Sequence, residues 1–302
     1  SRTACAQTYP SRPVHIIVGF PAGFAPDIIQ RLIAQSLSER LGQRFVVDNR
    51  PGAGSNIAAE EVVKAPPDGY ELLQVSAANA INATLYENLN FDFVRDIAPV
   101  ASIARTPLVM AVNPSVSAKT VPEFIAYAKA NPGKINMASA GNGSPPHVAG
   151  ELFKMMAGVD MLHVPYRGNY YPDLLGGQVQ VAFANITSSI EYVRTGRLRA
   201  LAVTTATRVE ALPDIPAVAE FVPGYEASSW QGIGAPRNTP AEIIEKLNKE
   251  INAGLADANI KTRLADLGAV TAPMTPSEFA KFVADETEKW GKVIRAANIK
   301  LQ

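Results

Sequence analysis

One local design occurs twice in this chain and restricts what it can fold into. A hydrophobic, strand-like run ends in a glycine-bearing turn, and the turn opens directly into a helix-like run. The first copy is the strand 14–20, the turn 21–27 and a helix from Ile28; the second is the strand 135–138, the turn 139–147 and a helix from Val148. Such a turn aims unpaired backbone N–H groups and the positive end of a helix dipole at one point in space. That is a ready anion site, and two of them facing each other would hold a small carboxylate in a clamp.

The rest of the chain repeats the alternation. A helix is predicted over 27–41, with Ile29, Leu32, Ile33, Ser36 and Leu37 on one face and Gly42 as its stop. Further strands are predicted at 45–47, 72–75, 108–112, 161–164, 181–184 and 198–203, and further helices over 55–64 and from Glu278 to about Ala297. Thr120-Val121-Pro122-Glu123, Thr239-Pro240-Ala241-Glu242 and Thr275-Pro276-Ser277-Glu278 read as capping boxes with proline in the first turn. Strands alternating with helices indicate an α/β fold with mainly parallel sheets. Residues 97–112 and 227–235 lack helical periodicity and read as paired crossovers, which can act as a hinge. The expected division is a discontinuous domain I, 7–104 plus 227–302, and a domain II, 105–226, with a pocket in the cleft between them.

Bulk properties exclude several classes of function. Lys+Arg and Asp+Glu both number 28, so there is no basic excess for nucleic acid or a membrane surface. No apolar run reaches transmembrane length. Ala4-Cys5-Ala6 reads as the end of an export signal, with cleavage near Ala6 and Cys5 a leftover of the leader. The three histidines, His15, His147 and His163, form no metal-ligand spacing, and there is no G-x-S-x-G elbow. Ser144 and His147 read as a helix cap in place of a catalytic pair. His15 reads as a packed strand residue and His163 as structural. Neither Gly52-Ala53-Gly54-Ser55 nor Gly141-Asn142-Gly143-Ser144 completes a nucleotide-binding motif. No cofactor and no metal is expected. Asp27 reads as a favourable charge near a helix start.

The residues then resemble a known family, the periplasmic receptors of tripartite tricarboxylate transporters (Bug or TctC type). The matching segments include 48–54, 64–70, 126–133, 139–144, 163–168, 174–179, 198–204 and 211–216. The resemblance implies a two-domain, Venus-flytrap fold with two α/β/α domains. It implies capture of a small carboxylate, with bridging waters, for delivery to a membrane permease, or for a sensor protein. An exported, periplasmic monomer that is not an enzyme is expected. The competing readings are an α/β transferase or hydrolase acting on an organic acid in the same cleft, and an effector-sensing regulatory domain, which the export signal disfavours.

The ligand-binding residues expected from the two turns and from the resemblance are Phe24, Ala25, Pro26, Ser76, Ser139, Ala140, Gly141, Asn142, Gly143, Ser144, His147, Tyr166, Arg167 and Ala184. Three departures from the family bear on the ligand, one of them a shortened, aromatic segment at 169–173. The family's first loop usually reads close to P-P-G-G-S/T-S/T-D, whereas here Phe24, Ala25 and Pro26 replace a small residue and two hydroxyls. An acidic residue often follows the strand at Val181, whereas here Ala184 and Asn185 stand there. Tyr170 and Tyr171 are open between facing the cleft and packing. A carboxylate with a hydrocarbon middle, and not an amino acid, is expected.

Overall fold

The computed structural model describes residues 9–301 except 167–168. Cys5, the cleavage site near Ala6 and Arg167 lie outside the described residues. The chain forms two compact units. One holds the chain up to Ala104 together with Trp230–Lys289; the other holds Arg105–Ser229 and the chain from Trp290. The expected division kept 227–302 whole, whereas here the segment from Trp290 groups with the second unit.

In chain order the elements are β1 (Val14–Val18), α1 (Ala25–Leu41), β2 (Phe45–Asn49), α2 (Asn56–Val63), β3 (Glu71–Ser76), α3 (Ala77–Leu85) and α4 (Phe93–Asp96). The long β4 (Ile97–Val112) then carries the chain into the second unit. That unit contains α5 (Val121–Ala130), β5 (Asn136–Ser139), α6 (Pro145–Ala157), β6 (Leu162–Pro165), α7 (Tyr171–Gly176), β7 (Val181–Asn185), α8 (Ile186–Arg194) and β8 (Arg199–Val203). The chain returns along β9 (Ser228–Pro236) to α9 (Ala241–Leu255), α10 (Ala258–Asp266), β10 (Val270–Thr271) and α11 (Pro276–Ala296). The stretches read as crossovers are thus the two long strands, β4 and β9. No helix of the described residues is long and apolar enough to cross a membrane.

In the first unit β1 lies between β2 and β3, parallel to both, with Ile16 opposite Val47 and Leu72. β9 pairs antiparallel with β3, Leu73 opposite Gly234. Four of the five residues of β1 are buried, as a strand covered on both faces requires. Helix α1 buries Ile29, Leu32, Ile33 and Leu37 against this sheet. Their three- and four-residue spacing makes one apolar stripe, and each buried side chain contributes about 1.5–3 kcal/mol. Gly42 ends the helix in the left-handed region (φ 69°), its N–H donating to Ser38 O. In the second unit β5 lies between β6 and β7, parallel to both, and β4 pairs antiparallel with β7 and β8.

Two local expectations change. Thr275 and Glu278 form the full capping box, each bonding the other's amide. Thr239 does not: its hydroxyl turns back to Pro236 O, 2.7 Å away, and Pro240 caps α9 without a side-chain bond. His15 is not packed. Its side chain is 45% exposed and Nδ1 sits 2.6 Å from Asp48 Oδ2, because the other residues of β1 already fill the two buried faces.

Candidate functional site

In the first unit three loops gather at the carboxyl ends of β1, β2 and β3, the ends at which parallel sheets bind ligands. After β1, residues Pro21 to Ala25 are exposed and Pro26 is half-buried. Phe24 caps α1 with extended backbone and is 60% exposed. Below it Asp27 is buried. Its carboxylate accepts from Gly23 N (2.9 Å), from Asn49 Nδ2 (2.9 Å) and from two nitrogens of Arg31 (3.0 and 2.9 Å). Burial pushes the Asp27 carboxyl up, but these bonds and the Arg31 charge outweigh it and hold it below the ordinary value. Asp27 is therefore the anchor of the loop. Pro26 has no N–H, Ile28 N bonds Phe24 O, and no described acceptor serves the amides of Ala22, Ala25 and Asp27.

After β2, Gly52, Ala53, Gly54 and Ser55 all have positive φ, 139°, 46°, 62° and 80°. A Cβ on Gly19 would lie 2.0 Å from Ser55 Oγ, so this strained turn sits directly on the end of β1. Backbone strain of this kind collects at functional sites. At the end of β3, Ser76 caps α3, and its N–H donates to Asn79 Oδ1 (2.9 Å). Ser55 Oγ, Asn56 Nδ2 and Asn79 Nδ2 are buried with no hydrogen-bond partner among the described residues. Buried polar atoms normally have one. In sequence, 52–55 reads as a plain turn, and the buried, unpartnered Ser55 hydroxyl is not among the expected site residues. The available signal was two non-glycine residues interleaved in a glycine turn at a strand end.

In the second unit the turn after β5 is bonded mostly to itself. Ser144 N and Oγ both donate to Gly141 O (3.2 and 2.7 Å), and Ser144 Oγ accepts from His147 N (3.4 Å). Pro145 and Pro146 supply no amides, so helix α6 offers no N-terminal donor of its own. Ser139 Oγ accepts from Gly141 N (3.1 Å), and His147 Nδ1 accepts from Gly143 N (3.0 Å). Two amides, those of Ala140 and Asn142, have no described acceptor. Gly141 (φ 114°) and Gly143 (φ 72°) supply the conformation, which side-chain-bearing residues adopt only with strain.

The expected site residues therefore divide. Ala140 is exposed and Gly141 and Asn142 are half-buried. Ser139 and His147 are buried behind them, with their side chains committed to the turn. Tyr166 is half-buried. Its hydroxyl donates to Asp173 Oδ2 (2.5 Å), and burial together with the Asp173 charge pushes it up to about 12. Ala184 lies fully buried on β7, with Asn185 exposed beside it. Tyr170 is buried in the core of the second unit and Tyr171 packs beside it, rings 4.8 Å apart.

Ser139 Oγ also lies 2.6 Å from His163 Nε2, a contact of the kind that activates a nucleophile. Ser139, however, has no exposed surface, and its hydroxyl is shared with Gly141. The contact holds backbone and presents nothing to a substrate. The described residues contain no cluster able to hold a metal. Chemically the arrangement offers amides and small polar groups to an anion.

The chain is similar to several known proteins. The family described as TctC, tripartite tricarboxylate transporter family receptor, matches residues 29–299. Protein BugT of Bordetella pertussis is 36% identical over 98% of this chain and 93% of its own length. Among solved structures, R. palustris Rpa4515 with adipate is 38% identical, with a TM-score of 0.80 over 97% of this chain and 99% of that one. MatC from Rhodopseudomonas palustris with bound malate is 30% identical, with a TM-score of 0.76 over 95% of this chain and 100% of that one. The fold is thus the two-domain α/β fold of periplasmic binding proteins.

Proposed function

The chain belongs to the tripartite tricarboxylate transporter receptor family, and from that premise we propose that it captures a small organic dicarboxylate in the periplasm, without turnover, for a tripartite transporter permease. The observation that carries this reading is the pattern of unspent amides. Each turn spends part of its donors on itself and leaves the Ala22, Ala25 and Asp27 N–H groups in one unit, and the Ala140 and Asn142 N–H groups in the other, without an acceptor among the described residues. Amides held in a fixed turn stabilise carboxylate oxygens with little ordering cost on binding. The two relatives above carry adipate and malate, each with two carboxylates.

Two further features favour a ligand with a hydrocarbon middle. Phe24 supplies an exposed aromatic face where the family usually has a small residue, and Ala184 with Asn185 supplies no carboxylate for a ligand ammonium. Isothermal calorimetry with adipate, malate, succinate, glutamate and aspartate tests the reading. Adipate should bind more tightly than malate, and the two amino acids should bind weakly or not at all. Tight glutamate binding without diacid binding overturns the ligand class. Release of a new product from any of these acids overturns the receptor reading.

A further inference from the structure

The turn 139–144 is held from behind by two imidazoles. His147, on the first turn of α6, and His163, on β6, stack with ring centres 3.5 Å apart and planes within 8° of parallel. His147 Nδ1 accepts from Gly143 N, which puts the proton of the neutral ring on Nε2, toward Glu151 Oε1 at 3.7 Å. His163 Nε2 bonds Ser139 Oγ, which in turn accepts from Gly141 N. Gly141 and Gly143 flank Asn142, and Gly141 follows Ala140. Of the two unspent amides of this turn, that of Asn142 therefore lies between the two glycines that the imidazoles tie down, and that of Ala140 directly precedes the first of them.

The charged surroundings are mixed. Glu151 and Lys154 from α6 face the pair, Lys154 Nζ bonding Glu151 Oε1 at 3.0 Å. Asp160, before β6, and Lys300, in the C-terminal segment, line the same cavity of about 450 Å³ beside the rings. Burial, and next the neighbouring His147, depress His163 from its ordinary 6.5 to about 4, with Glu151 opposing and Lys154 adding to the effect. Stacked rings at this distance resist taking up a second charge. A proton on His147 Nδ1 would also turn the acceptor of Gly143 N into a donor.

We propose that the stacked His147–His163 pair is the positioning element of the carboxylate-binding turn, holding Gly141 and Gly143 through neutral imidazoles so that the Ala140 and Asn142 amides stay unspent, and releasing Gly143 when a proton occupies His147 Nδ1. This rests on the reading that the turn grips the ligand, but the hold itself is visible without ligand. In the free protein, His147→Leu should speed amide hydrogen exchange at Gly143 about ten-fold, as expected for loss of one hydrogen bond. His147→Asn, whose Oδ1 stands where Nδ1 stood, should restore it to within about three-fold. The Gly143 amide resonance of the wild-type protein should move with the imidazole titration seen by NMR. Affinity for adipate should fall about ten-fold in His147→Leu and recover in His147→Asn. Unchanged Gly143 exchange in the leucine variant overturns the proposal, as does an asparagine variant no better than leucine. A Gly143 resonance that ignores the titration overturns it too, even if the leucine variant fails to fold. If exchange behaves as expected while adipate affinity is the same in all variants, the positioning role stands and the carboxylate-grip reading falls.

Discussion

The two strand-to-helix turns share a sequence design but are anchored by opposite chemistry. The turn after β1 is open to solvent and hangs on one buried carboxylate, Asp27, which takes donors from Gly23, Asn49 and Arg31. The turn after β5 is half-buried and hangs on two imidazoles and two serines, with no charge in direct contact with its backbone. Asp27 sits at the N-terminus of α1, where it already neutralises part of the helix dipole. At α6 no charge does so, but two prolines remove the amides. In neither turn, then, does the helix end act as an unmodified anion site. The donors left over belong to residues just outside or at the very start of each helix.

This contrast can be broken at Asp27 first. Asp27→Ala leaves the Arg31 guanidinium and Asn49 amide without their buried partner, and a loss of about 3 kcal/mol in urea denaturation is expected. Exchange at Gly143 should be untouched. If Asp27→Ala costs nothing, the carboxylate is not the anchor.

The next largest effect separates the turns by pH. His163 is depressed to about 4, so the folded state favours its neutral form. Its contribution is present above 6.5 and is lost as pH falls from 6.5 toward 4, amounting to about 2 kcal/mol after allowance for its partial exposure. Asp27 is also held below its ordinary value, so its contribution persists through that window and is lost only as pH falls further. Amide exchange mapped from pH 7 to 4 should therefore show the second turn loosening while the amide of Gly23 stays protected.

Smaller effects sharpen the same comparison. Gly141→Ala should cost about 1–2 kcal/mol by backbone strain alone, because a Cβ there meets nothing closer than Tyr166 O at 3.6 Å. Thermal unfolding measures it, and adipate affinity should fall with it. Phe24→Ser should change stability by less than about 0.5 kcal/mol, since the ring is exposed. Calorimetry should nonetheless show adipate losing more affinity than malate, and equal losses would remove Phe24 from the hydrocarbon contact.

Much of the scaffold was legible because it is written in local terms. The apolar spacing of α1, its Gly42 stop, the long extended runs that became β4 and β9, and the capping box of Thr275 with Glu278 each depend on residues a few positions apart. The two turns were legible for the same reason. What failed was reading a side chain's role from its neighbours in sequence. Thr239 looked like a cap until Pro236 O offered its hydroxyl a nearer partner. Ser144 looked like a ligand donor, yet its amide and hydroxyl both close onto Gly141 O. His15 sat in an apolar strand but faced Asp48 on β2.

The amino-acid order by itself determined the α/β alternation, the two glycine turns and the family, because these follow from periodicity, conformational preference and contiguous motifs. Only the tertiary structure decided which donors remain unspent. That depends on partners far along the chain: Asn49 reaching Asp27, Ser55 closing over Gly19, and His163 arriving from another strand to stack on His147. A hydrogen bond depends on distances of a few tenths of an ångström, and for partners on different elements only folding sets such a distance.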